Sequence, residues 1–224
     1  MKYMSRFALP LAGALLTIAG AANAIVIPGV YNTGLGVGGT ALAAGDGQVD
    51  ANYVIVATNT GAAIGNHALT YYNPAYLQDG PRSRIVNLTG DGSGNNGDVS
   101  TFETTFSLAG FDAINATISG QALFDNFGTI SLNGNQIGGT ITGYNTLSPF
   151  GTNANFFVAG INHLDFTLNN IDGPTAFQVA GLTVTAARLP VGGVPEPTSW
   201  MLMVAGFGLV GFAARSRKSN AVAA

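Results

Sequence analysis

The chain of 224 residues contains no cysteine. Disulfides, thiolate chemistry and cysteine-ligated zinc are therefore excluded, and stability has to come from packing. Lysine is almost as scarce, occurring only as Lys2 and Lys218. Between residues 25 and 194 the basic side chains are Arg82, Arg84 and Arg188 against ten carboxylates, a formal charge of −7. Such a stretch is a poor partner for nucleic acid or an anionic membrane surface. In the same interval Glu103 is the one glutamate and His67 and His163 are the histidines, while the one tryptophan of the chain, Trp200, lies beyond it. A glycosidase needs two carboxylates facing one cleft. No motif pairs two here, and there is no G-x-S-x-G elbow, phosphate loop or His-x-x-x-His pair. The sequence is read as that of a protein without catalytic activity. A sustained helical period is also missing from this interval.

What is present begins with two targeting ends. Residues 1–24 carry Lys2 and Arg6, then the apolar run from Phe7 to Ala19, then Ala22-Asn23-Ala24. This is the order of a secretory signal peptide, with cleavage expected between Ala24 and Ile25. At the other end stand Pro195-Glu196-Pro197, Trp200, an uncharged run to Ala214, and Arg215, Arg217 and Lys218. The prolines keep the first stretch extended. The uncharged run, counted from Pro197, approaches the roughly 20 residues of a transmembrane helix, and the basic cluster would stay cytoplasmic. Proline signature, hydrophobic segment and basic end in this order resemble the PEP-CTERM sorting tail. The resemblance implies recognition by an exosortase, a membrane cysteine peptidase, an inner-membrane intermediate, and delivery to the cell surface or extracellular matrix of a Gram-negative bacterium.

The exported part, residues 25–194, is long enough for one domain with a core. Asn52 to Thr58 is rich in β formers. Phe102, Thr104, Phe106 and Leu108 alternate with polar residues, as do Ile114, Ala116 and Ile118, and Leu164, Phe166 and Leu168. Asn133-Gly134 is a two-residue hairpin turn. Regularly spaced strands imply an all-β sandwich or jelly roll. The expected organisation is a signal peptide (1–24), a Gly-rich N-terminal segment (25–49) with a loose entry at Thr33 to Gly47, the β-sandwich (50–187), a linker (188–194), the sorting tail with its transmembrane helix (195–218) and a disordered end (219–224). Phe102-Glu-Thr-Thr-Phe-Ser-Leu-Ala-Gly-Phe-Asp112, Asp125-Asn126, Ile130-Ser-Leu-Asn133-Gly134 and Val158-Ala-Gly-Ile-Asn162-His-Leu-Asp-Phe166 resemble, in that order, strands of galactose-binding-like and carbohydrate-binding jelly-roll domains. That resemblance bears on fold more than on function.

Two candidate sites follow. Tyr71, Tyr72 and Tyr76 could stack on a pyranose face with Arg82 and Arg84 donating to hydroxyls, or they could pack an edge of the sandwich. Asp91, Ser93, Asn95 and Asp98 place oxygens at alternate positions, as a calcium loop does, or they make local turns in a connection. The loop is not an EF-hand, since Phe102 stands where the bidentate glutamate belongs. No cofactor is required, and the loop could ring a hard cation such as Ca²⁺. The favoured reading is a non-catalytic surface or matrix component associated with exopolysaccharide. A carbohydrate-binding module is the alternative, and a hydrolase with an unrecognised site comes third.

Overall fold

A computed structural model describes residues 23–43, 45–62, 64–77, 79–80, 82–190 and 197–219. The signal peptide before residue 23, the linker from residue 191 and the signature residues Pro195 and Glu196 lie outside these. The strands are β1 (Ala24–Val26), β2 (Val49–Thr58), β3 (His67–Thr70), β4 (Val86–Asn87), β5 (Val99–Ser107), β6 (Thr117–Leu132), β7 (Asn135–Gln136), β8 (Ile141–Thr152), β9 (Ile161–Asn169) and β10 (Ala176–Ala187), followed by helix α1 (Pro197–Ser219).

The all-β expectation holds, but the jelly-roll sandwich gives way to a closed barrel. Seven antiparallel strands run β10-β4-β3-β2-β5-β9-β6 and return to β10, with β1, β7 and β8 added outside the circle. Closure comes from the 16 residues of β6. One edge of this strand carries β7 and β8. The other is divided: Thr117–Asp125 pair with β10 and Phe127–Leu132 with β9. Register shifts around Phe124 in the β8 ladder bend the strand so that both partners fit. Gly128 allows the bend, because a Cβ there would overlap the ring of Phe124.

Alternation along β5 and β9 fills the barrel. Phe102, Phe106, Leu108, Leu164, Phe166 and Leu168 are all buried. Phe177 is the hub, with ring centroids 4.7 Å from Phe102 and 5.9 Å from Tyr53, Phe124 and Phe166. The Asn133-Gly134 turn is as read, with φ of 50° and 79°, the positive values that a two-residue β-turn of this type requires. Ile114 departs from the expected strand. It is exposed in a turn, where the Asp112 carboxylate accepts the backbone N–H groups of Ile114 (3.1 Å) and Asn115 (3.4 Å).

The Gly-rich lead-in is not loose. β1 pairs with the end of β10, Ala24 opposite Ala187, and Ile27 N–H donates to the Val184 carbonyl at 2.8 Å. Between β10 and β4 the ladder holds a single pair, Phe177 with Val86. Thr33, fully buried, completes that seam. Its N–H donates to Val179 O (3.2 Å), its carbonyl accepts Arg84 N–H (2.9 Å), its hydroxyl donates to Arg84 O (2.6 Å), and the hydroxyl oxygen accepts Val179 N–H (2.9 Å). Asp50 holds the next residue, accepting Gly34 N–H at 2.6 Å and Asn52 N–H at 2.7 Å. Burial pushes the Asp50 carboxyl up to about 6, against the opposing pull of these N–H groups.

The C-terminal end of the barrel is fastened by the turn after β5. Leu189 N–H donates to Gly110 O and Asp112 N–H to Ala187 O, and the Arg188 guanidinium lies 5.2 Å over the Phe111 ring. Beyond it, α1 exposes its large apolar side chains from Trp200 to Phe212. Among the described residues no helix is long and apolar enough to cross a membrane. The tail's uncharged stretch lies within α1, whose 23 residues run from Pro197 to Ser219.

Thr33→Val, which keeps the shape and removes the hydroxyl, orphans Val179 N–H and Arg84 O and is expected to cost about 2–4 kcal/mol in urea unfolding, with Thr33→Ser near wild type. The raised Asp50 carboxyl makes a stability contribution that is fully present below about pH 4 and lost as pH rises through about 6, amounting to about 3 kcal/mol. Unfolding measured across that window should flatten in Asp50→Asn.

Candidate functional site

The segment between β3 and β4 carries most of the residues singled out for binding. It leaves β3 with Tyr71 N–H donating to Ile85 O at 3.0 Å. Asn73 then makes a tight turn, its side-chain oxygen accepting Ala75 N–H at 2.9 Å and its carbonyl accepting Tyr76 N–H at 3.0 Å. The turn sends Tyr76 back towards the barrel. Tyr71 and Tyr76 are 9% and 5% exposed and meet edge to face at 5.8 Å, forming a small second core with Ile85 and Ala176. The Tyr76 hydroxyl donates to the Asp125 carboxylate and stands 3.1 Å from Pro174 O. Its ring lies 5.1 Å from Tyr144. Burial and the Asp125 carboxylate together raise the Tyr76 phenol above the tyrosine range. Burial likewise raises Asp125, with the Tyr76 hydroxyl pulling the other way.

The three tyrosines therefore do not form one stacking surface. Tyr71 and Tyr76 pack inside, the second of the two readings open from sequence, and only Tyr72, 51% exposed, presents a ring to solvent. Tyr72 and Arg84 do meet in a cleft of about 400 Å³ lined by Gly45, Asp46, Thr70, Tyr71, Tyr72, Asp79 and Arg84. Arg84 Nε is 3.3 Å from Asp79 Oδ2, and Arg84 Nη1 donates to Ala43 O at 2.6 Å. Asp79 Oδ1 accepts Ile85 N–H at 3.1 Å. Burial raises the Asp79 carboxyl, Ile85 N–H and Arg84 oppose that, and the nearby charge of Asp46 adds to the rise. Arg82 is exposed and outside the cleft, its carbonyl accepting the Asn32 side-chain amide at 2.8 Å. Asp46 and Asp79 were not legible as site residues, because each sits alone in coil with no motif around it.

A second cleft of about 360 Å³ is lined by Thr60, Leu88, Thr89, Ser93, Asn95 and Asp98 among others. Some of the oxygens proposed for calcium are used by the loop itself. Asp91 accepts Ser93 N–H (3.0 Å) and Ser93 O–H (2.7 Å), and Asp98 accepts Asn95 N–H (2.6 Å). Ser93 N–H, followed by its hydroxyl, holds the Asp91 carboxyl down to about 2. Among the described residues no three His, Cys, Asp or Glu side chains converge as a metal site.

One polar group emerges only from strand register. β5 and β9 place Glu103 opposite Asp165 and Thr105 opposite His163. His163 Nδ1 lies 2.9 Å from Glu103 Oε2. Asp165 is raised first by burial and next by the Glu103 charge. Like charges directly opposed across a ladder are unfavourable, and His163 relieves the pair from one side.

The β-barrel domain is followed by a sorting segment. Residues 193–218 match the PEP-CTERM protein-sorting motif, which marks the chain for exosortase-mediated processing. Of the residues read for that signal, Trp200 and Arg215 lie exposed on α1. Pro197, Arg217 and Lys218 also fall within that helix. A search of curated proteins finds no match.

Burial separates the tyrosines energetically. Tyr76→Phe is expected to lose about 1–3 kcal/mol in chemical denaturation, since it strips a donor from a desolvated carboxylate. Tyr72→Leu, at the surface, should stay within about 0.5 kcal/mol of wild type.

Proposed function

We propose that the protein is a non-catalytic component of the cell surface or extracellular matrix, released from an inner-membrane intermediate by an exosortase and residing alongside exopolysaccharide. The observation that carries this reading is the PEP-CTERM motif at residues 193–218. Three features of the molecule support it. The α1 side chains from Trp200 to Phe212 are apolar and exposed on all sides of the helix, a surface suited to lipid rather than water. The basic residues Arg215, Arg217 and Lys218 end the segment, as expected of a cytoplasmic flank. The barrel holds its ends at one pole: Ala24, where the signal peptide is expected to be cut, is paired with Ala187, the last residue of β10. The two ends of the described barrel therefore lie side by side, and a nascent chain held at the membrane from both would not strain the fold.

Replacing Pro195, Glu196 and Pro197 together by alanine should leave the chain unprocessed and in the inner membrane, as read by fractionation and by the mass of the product. A surface protein of normal mature size from that variant would overturn exosortase processing.

A further inference from the structure

The cleft beside Tyr72 has a surplus that its own bonds do not consume. Arg84 is committed to Asp79 and to Ala43 O. Asp79 has one oxygen on Arg84 and the other on Ile85 N–H. The Thr70 hydroxyl donates to Gly45 O and accepts Gln48 N–H, both at 2.9 Å. The Tyr71 hydroxyl accepts from the Asn73 amide at 2.9 Å. Two groups remain. Asp46 is exposed and uses only Oδ1, which accepts Tyr72 N–H at 2.6 Å, so Oδ2 has no partner among the described residues. Tyr72, 51% exposed, lines the same cleft as Asp46.

With two carboxylates and one guanidinium the cleft carries a net negative charge, felt at Asp79 as an upward push from Asp46. A free carboxylate oxygen beside an aromatic face recognises a cation, through a charge-assisted hydrogen bond and attraction to the ring. The volume of about 400 Å³ exceeds what a lysine side chain fills. A rigid ring can cover the Tyr72 face without the rotamer entropy that a lysine chain loses on binding. We propose that this cleft binds a primary ammonium group carried on a pyranose ring, as in a polymer of glucosamine. Acidic polysaccharides are repelled by the same charge. The assignment stands on the cleft alone and is independent of how the tail is processed.

The test is calorimetric titration of the full-length chain in detergent with a β-1,4-linked glucosamine hexamer, its N-acetylated counterpart and hexalysine. The glucosamine hexamer is expected to bind. N-acetylation should weaken binding about tenfold or more by removing the charge. Asp46→Asn keeps an acceptor for Tyr72 N–H and should weaken binding to a similar degree, as should Tyr72→Leu, whereas Arg82→Ala, outside the cleft, should not. No binding of the glucosamine hexamer, or binding indifferent to both Asp46→Asn and Tyr72→Leu, overturns the proposal. Hexalysine binding as tightly as the glucosamine hexamer overturns the sugar assignment and makes the site a receptor for basic peptide.

Discussion

The barrel depends on a seam that its strands do not close by themselves. β4 has two residues and gives β10 a single paired position. Left there, most of the β10 edge facing β4 would present unpaired N–H and C=O groups, a liability in any sheet. Thr33 answers with its backbone on both sides and its hydroxyl as donor and acceptor, so that one residue does the work of a strand. Asp50 secures the neighbouring Gly34, whose φ of 73° suits glycine and whose missing Cβ makes room for Arg84. The Asn32 side-chain oxygen accepts Leu182 N–H, extending the cover along the same edge. A carboxylate that is costly to bury is retained because the strap it fixes closes the cylinder.

The same seam positions the Tyr72 cleft. Arg84 is anchored to Thr33 through its backbone and to Ala43 and Asp79 through its side chain. Asp46 arrives on the segment just before β2, tied down where Thr70 binds Gly45 and Gln48. One wall of the cleft is thus the lead-in and the other is the β3–β4 segment. Neither is regular secondary structure, yet both are fixed to the barrel by hydrogen bonds at each end.

Much of the fold was legible in the sequence because period-two patterning records which face is dry. The alternation at Phe102 to Leu108 and Leu164 to Leu168 located β5 and β9, and Asn133-Gly134 located the hairpin. Closure into a barrel was not legible, because it turns on β6 changing partners between Asp125 and Phe127, and alternation says nothing about partners. The lead-in was misread because glycine and threonine suggest a linker, whereas here their hydrogen-bonding groups complete a sheet. Ile114 was misplaced because Asp112, a turn former, outranks a short apolar alternation. At the site, three tyrosines in a coil segment carry no period, so nothing separated Tyr71 and Tyr76, which face the barrel, from Tyr72, which does not. In the tail, order and composition sufficed for the sorting motif, because that signal is carried by residue type and sequence rather than by packing.

Ala24 and Ala187 face each other across one ladder, so the barrel's beginning and end are hydrogen-bonded neighbours. A cylinder built in this way has no privileged starting point. A short Gly-Ser bridge from residue 188 to residue 24, with new ends opened in the exposed β2–β3 connection near Gly61, would keep every strand neighbour it now has. In such a circular permutant Thr33 would seal its seam from the interior of the chain, and the barrel's topology would be separated from its means of export.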